Sequence, residues 1–375
     1  MKGSKMAYND IKNILPKFRF QGKYVSSREL TSGNINETYA LEYQDGKKTA
    51  MYILQRINTY VFRDPHGVMQ NIALVTEHLK KNLLKRMDNA ERHVLELVRT
   101  VDGEIMYQDR KYGVWRAYTY ITHAVALDVV SRPEQMEEVG RAFGSFQRDL
   151  VDFPAHMLAE TIPNFHNTTK RFYAFVRAVD EDKAGRVKEV EEEIEFMFDH
   201  RRMLGEIVRL LDKQIIPLRV THNDTKSNNV LLDDKTFKAL AVIDLDTVMP
   251  GSSLYDYGDA IRFGASTARE DEEDTSIIKL DMEKTRAFTR GFIQETAGIL
   301  SDEELIRLPL GIKVLTGELA MRFLTDYLDG DLYFKVNSPN HNLIRTRAQI
   351  ALLKNVEEKE DQLQEMVQRY MTRYT

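Results

Sequence analysis

The 375-residue sequence contains no cysteine. Disulfides, thiolate metal sites and cysteine nucleophiles are therefore excluded, and with no recognisable secretory h-region a cytoplasmic location is expected. No run approaches the roughly eighteen uncharged apolar residues of a bilayer span, so no membrane partner is expected. Charge of one sign is not in excess either: 53 Lys and Arg against 58 Asp and Glu leave −5. Such a chain has no sequence-independent pull toward nucleic acid. Internal repeats and low-complexity tracts are also missing. What remains is a chain with 42% hydrophobic residues, long enough for two lobes that each bury a core.

The pattern changes part-way along. Residues 20 to 60 read as short strands: "YALEY", an Asp45-Gly46 hairpin signal, then "TAMYILQRI". Next, "MQNIALVTEHLKKNLLKRM" repeats apolar residues at three and four, as an amphipathic helix does. "EIMYQDRKYGVWRAYTYI" predicts two further strands about a charged turn. Residues 1–122 are thus expected to form an antiparallel β lobe with one inserted helix, and residues 123–375 a larger, mainly helical lobe, an α+β class. In the second lobe Met136, Val139, Phe143, Phe146 and Leu150 mark one helix face, and 186–211 an acidic helix. "NVLL" and "LAVID" about Asp233-Asp234-Lys235 suit a small hairpin. Helices resume near 281, divided by Pro309 and Ser338-Pro339. The acidic run "REDEEDTS" at 269–276 reads as a solvated loop without chemistry.

Two polar clusters carry the chemistry. "VTHNDTKSNNVLLD" holds H-x-D-x4-N, with Asp224 and Asn229, and "VIDLD" comes next with Asp244 and Asp246. Phosphoryl transfer needs a carboxylate to orient and deprotonate an acceptor hydroxyl, and oxygen ligands for magnesium on the nucleotide phosphates. Asp224 fits the first task. Asn229 and Asp244 fit the second, and Lys226 can neutralise charge on the transferred group. Asp246 is expected either to join the metal site or to cap the turn before Pro250, and His222 to brace the loop. A lone H-x-D is often only a turn; its pairing with Asn229 and I-D-x-D is what favours catalysis.

In the first lobe "LTSGNINETYAL" places Gly33, Asn34 and Asn36 in a turn between strands, where backbone N–H groups can approach phosphates. It matches neither G-x-G-x-x-G nor Walker A, and alone would be a plain hairpin. The third strand, "YILQRI", lacks the lysine that kinases place there. Arg56 is expected to bind phosphate, oriented by Glu77 of the following helix, with a surface arginine as the plain alternative.

Together "SGNINETY", "YILQRIN", "THNDTKSNNVLLD", "AVIDLDTVMPGSSLYDYGDAIR" and "RFLTDYLDGDLYFK" resemble the aminoglycoside phosphotransferase-like, or choline-kinase-like, small-molecule kinases, and among them the N-acetylhexosamine 1-kinases. The resemblance spans about 30 to 355. It implies a bilobal protein-kinase-like fold, Asp224 as base, Asn229 and Asp244 on Mg²⁺, ATP as donor and the anomeric hydroxyl of an N-acetylhexosamine as acceptor. The protein would act on its small sugar as a monomer or weak dimer. His166, Arg171, Arg322, Asp326 and Tyr333 are expected to line the acceptor pocket, since such side chains bond pyranose hydroxyls and cover the apolar ring face. The alternatives are a kinase of choline, ethanolamine, an amino alcohol or an aminoglycoside, and a non-catalytic nucleotide-binding module of the same shape. The absence of H-R-D, D-F-G and A-P-E argues against a protein kinase.

Overall fold

A computed structural model describes residues 8–31 and 35–374. Gly33 and Asn34 lie outside the described residues. The first lobe is an antiparallel sheet of β1 (Lys23–Leu30), β2 (Glu37–Asp45), β3 (Lys48–Ile57), β4 (Leu97–Val98), β5 (Tyr107–Asp109) and β6 (Gly113–Thr119). Its order is β1-β2-β3-β6-β4, with β5 paired to β6. The Asp45-Gly46 signal is a tight hairpin: Asp45 pairs with Lys48, and Gly46 has φ +59°, which a glycine adopts freely.

The inserted helix runs Pro65–Leu83, starting four residues before the expected Met69. Asp64 explains the difference, because its carboxylate accepts from Gly67 N–H at 3.0 Å while Pro65 takes the first turn. Its apolar face, Val68, Met69, Ile72, Val75 and Leu79, packs with Ile57, Val114 and Tyr118 of the sheet. Each large apolar side chain so enclosed contributes on the order of 2 kcal/mol.

The second lobe contains two small sheets, β7 (Ala124–Ala126) with β9 (Val230–Asp233) and β10 (Ala239–Val242), and β8 (Arg219–Thr221) with β11 (Met249–Gly251). Helices surround them. The expected long helix over 186–211 is instead three pieces, Glu191–Asp199, Arg201–Leu204 and Glu206–Asp212. His200 bonds the Phe196 carbonyl at 2.7 Å at the first break, and Gly205, with its low helix propensity, sits at the second. The acidic 269–276 loop is tied down rather than free: Glu270 pairs with Arg262 at 2.9 Å.

The helix Ser253–Gly264 is buried along most of its length. It crosses the helix Leu308–Asp329 where Gly258 meets the Gly311 carbonyl and Gly311 meets that of Leu254, each so closely that an added Cβ would overlap the opposing oxygen. Gly258→Ala must force the helices apart, costing about 1–3 kcal/mol. Urea unfolding should show that loss.

Candidate functional site

β8 delivers the first polar cluster and β10 the second, and hydrogen bonds fasten them to each other. Ile243 N–H donates to the Asn229 carbonyl at 2.8 Å, placing Asp244 beside the turn that carries Asn229. His222, fully buried, bridges both segments. Its Nδ1 accepts from Asp224 N–H at 3.3 Å, which leaves Nε2 to donate to the Ile243 carbonyl at 2.9 Å. With both nitrogens committed, and the ring edge-on to Phe143 and Phe146, His222 braces the loop.

The turn itself is held by acids on the helix Ser253–Gly264. Asp256, buried, accepts from His222 N–H at 3.0 Å, Asn223 N–H at 2.8 Å and Gln147 Nε2 at 2.6 Å. Burial pushes its carboxyl up, against the pull of those donors. Asp259 accepts from Thr225 N–H at 3.0 Å. These bonds hold Asn223 at φ +64°, a left-handed conformation that non-glycine residues adopt rarely. Asp224 is the next residue, and its direction is set by that turn.

Three carboxylates meet in the cleft, and protein cations serve two of them. Lys226 Nζ lies 2.8 Å from Asp224 Oδ1. Although its enclosure works against the charge, Asp224 holds the ammonium above its usual value. Asp246 is buried and spoken for: Arg116 of β6 pairs with Oδ1, and Asn36 Nδ2 donates to Oδ2 at 2.7 Å. It therefore links the lobes, with one donor on each carboxylate oxygen. Asp244, in a left-handed conformation at φ +59°, makes no ion pair among the described residues.

Asp244 is exposed as a residue, but its carboxyl lies in dense surroundings. That enclosure, with the like charges of Asp246 and Asp224, pushes its carboxyl up to about 6. A cation would relieve the repulsion. Asn229 adds an oxygen: its Nδ2 donates to the Asp224 carbonyl at 2.8 Å, and its Oδ1 accepts no hydrogen bond among the described residues. No three His, Cys, Asp or Glu among those residues form a ready-made metal cage. Two protein oxygens completed by phosphate oxygens is the arrangement suited to magnesium arriving on a nucleotide, so these residues fit that group.

Arg56, expected to bind phosphate, and Glu77, expected to orient it, do not pair with each other. Alternation along β3 places Arg56 on the face opposite Gln55, where it pairs with Glu37 at 3.2 Å beside Tyr39 and Trp115. Glu77 is exposed and makes no ion pair or hydrogen bond among the described residues. The cation on the cleft face is Arg116, whose Nε donates to Gln55 Oε1 at 2.9 Å.

Near the turn that carries Asp224, a second cluster gathers about buried Glu318. His166 Nδ1 is 2.9 Å from Glu318 Oε2, and its Nε2 lies 3.3 Å from the carbonyl of Asn223, next to Asp224. Arg171 and Arg322 lie 3.2 and 3.7 Å from Glu318 Oε1. Burial disfavours the Glu318 charge, but His166 and the two arginines more than offset that and hold the carboxyl below its usual range. Arg171 is held down to about 10 by burial and by Arg322. Of the remaining expected pocket residues, Tyr333 is 64% exposed on the loop above Arg322, its ring 5.9 Å from the guanidinium.

Asp326 has another task. Its carboxylate accepts N–H groups of Leu332, Tyr333 and Phe334 at 2.7–2.9 Å and Nδ2 of Asn342 at 2.8 Å. It fastens the loop that presents Tyr333 and has no capacity left for an acceptor.

Residues 26–289 match the phosphotransferase enzyme family APH. The chain belongs to that family. Among solved structures, an aminoglycoside phosphotransferase from Alicyclobacillus acidocaldarius superposes with TM-score 0.60 at 9% identity, covering 98% of each chain. A spectinomycin phosphotransferase bound to ADP and spectinomycin gives 0.56 at 13%, covering 96% of this chain and all of that one. A choline kinase from Cryptosporidium parvum gives 0.56 at 14%, covering 98% and 100%. At these identities the likeness speaks for the fold, an antiparallel β lobe on a helical lobe.

Asp256, Asp259, Arg116 and Glu318 of this phosphotransferase's site are not singled out from the sequence. Asp256 stands in "LYDYGD", whose two acids three apart on a helix carried a usable signal. Arg116 stands mid-strand in "GVWRAYT", where a charge at an inward position is itself the anomaly.

The Asp244 shift has a consequence for stability. A carboxyl raised on folding makes the native state bind protons more tightly than the unfolded chain, so stability falls as pH rises from about 4 through 6. Metal-free protein should show that fall in Tm. Asp244→Asn should flatten it, and so should saturating Mg²⁺ with ADP.

Proposed function

We propose that the protein transfers the γ-phosphoryl group of ATP, with Mg²⁺, to a hydroxyl of a small molecule, and that the acceptor is the anomeric hydroxyl of an N-acetylhexosamine. The observation that carries this reading is the position of Asp224. Its carboxylate is 3.4 Å from Asn229 Nδ2 and close enough to Asp244 to raise that carboxyl, and the Glu318-centred cluster reaches the backbone of the preceding residue through His166. A hydroxyl held by that cluster would be oriented by the Asp224 carboxylate, which takes its proton as the phosphorus–oxygen bond forms. Lys226, paired to Asp224, would balance charge on the transferred group. Magnesium held by Asn229 and Asp244 would neutralise the nucleotide phosphates and align them. No covalent enzyme intermediate is needed, so positioning supplies most of the acceleration.

Charge favours the sugar. Two arginines share one carboxylate near the Asp224 turn, an excess of positive charge that suits a cationic amino alcohol or aminoglycoside less well than a neutral acceptor. A neutral acceptor rich in hydroxyl and amide oxygens finds donors instead. The five sequence segments that resemble N-acetylhexosamine 1-kinases point to the same acceptor, and the location expected for such an enzyme is cytoplasmic. No helix among the described residues is long and apolar enough to cross a membrane.

Asp224→Asn should reduce turnover about 10²–10⁴-fold with Tm nearly unchanged. ADP release with a panel of N-acetylated hexoses, plain hexoses, choline and ethanolamine, followed by NMR of the product, tests the acceptor. Turnover of choline in preference to every sugar would contradict the reading.

A further inference from the structure

The arginine on β6 has the geometry of a substitute. On β3 the residue facing the cleft is Gln55, a neutral amide, and Arg116 lies directly across from it in the β3–β6 register. Gln55 Oε1 accepts from Arg116 Nε at 2.9 Å, steering the guanidinium toward the second lobe. There Arg116 pairs with Asp246, two residues after Asp244, with both side chains almost wholly out of water. Asp246 in turn accepts from Asn36 at 2.7 Å, and Asn36 Oδ1 accepts from Asn58 N–H at 3.0 Å at the end of β3. A continuous path thus runs from Asn36, at the entry to β2, through Asp246 and Arg116 to Gln55. It crosses between the lobes twice.

A buried ion pair is a poor source of stability, because desolvating two charges offsets most of their attraction. It is, however, a strong constraint on position. Burial works against the Arg116 charge, yet Asp246 and, more weakly, Asp244 hold it above its usual value.

We propose that Arg116 is the positioning residue of the nucleotide phosphates. Held by Gln55 and Asp246, it locks Asn36, at the entry to β2, onto the Asp244–Asp246 segment and supplies from β6 the cation that the cleft face of β3 lacks. The inference rests on the phosphotransferase reading of the cleft. Its loss should weaken contacts to the phosphates and leave those to the base and ribose intact.

Calorimetric titration with Mg·ADP and with adenosine separates the two. Arg116→Met alone leaves Asp246 buried and unpaired, so it is best combined with Asp246→Asn; Asn36→Ala cuts the same path without a buried charge. Both variants should bind Mg·ADP roughly tenfold or more weakly and raise KM for ATP similarly, with adenosine affinity within about twofold. Adding Gln55→Lys to the first variant, which returns a cation to β3, should recover part of the ADP affinity. Unchanged ADP affinity in both variants overturns the inference. So does a parallel loss of ADP and adenosine, which would mark a general structural role. Wild-type protein that binds neither ADP nor ATP would overturn the phosphotransferase reading itself.

Discussion

Mutual repulsion among Asp224, Asp244 and Asp246 is the constraint on which the rest of the cleft depends. Carboxylates brought this close raise one another's proton affinity unless cations intervene. The chain meets the problem unevenly. Asp224 has Lys226 and Asp246 has Arg116, while Asp244 makes no ion pair among the described residues, and burial together with its two neighbours pushes its carboxyl up to about 6. That imbalance gives the site its chemistry, since a divalent ion brought by a nucleotide would complete it and a site neutralised by protein would not need one.

Holding such an arrangement requires rigidity elsewhere. Asp256 and Asp259 use their carboxylates on backbone N–H groups of the turn, and their helix is seated by the glycine crossing at Gly258 and Gly311. His222 then connects the turn to the strand leading to Asp244. Functional residues thus sit on loops, but each loop is fastened by buried polar groups at several points. The acceptor side obeys the same logic: Glu318 gathers His166, Arg171 and Arg322, and Asp326 ties down the loop that carries Tyr333.

Much of this was legible from the sequence where the signal is local. Hairpin turn chemistry at Asp45-Gly46, helical periodicity after Pro133 and the spacing of Asp224, Asn229 and Asp244 each depend on a few neighbouring residues. What failed was long-range. Which face of β3 looks into the cleft is decided by register against β6, and a one-residue alternation separates Gln55 from Arg56. Asp326 resembles a ligand in composition, but its partners lie in the following turn, and the arginine that meets Asp246 lies 130 residues away. Nothing in the local pattern distinguishes a carboxylate that will hold backbone amides from one that will face a substrate.

Electron paramagnetic resonance of Mn²⁺ with ADP tests the central claim most directly, because it reports the ion's coordination without requiring the acceptor. Wild-type protein should order the Mn·ADP complex, whereas Asp244→Ala should still bind ADP but leave the metal's spectrum as it is in solution. Identical spectra for the two proteins would contradict the account.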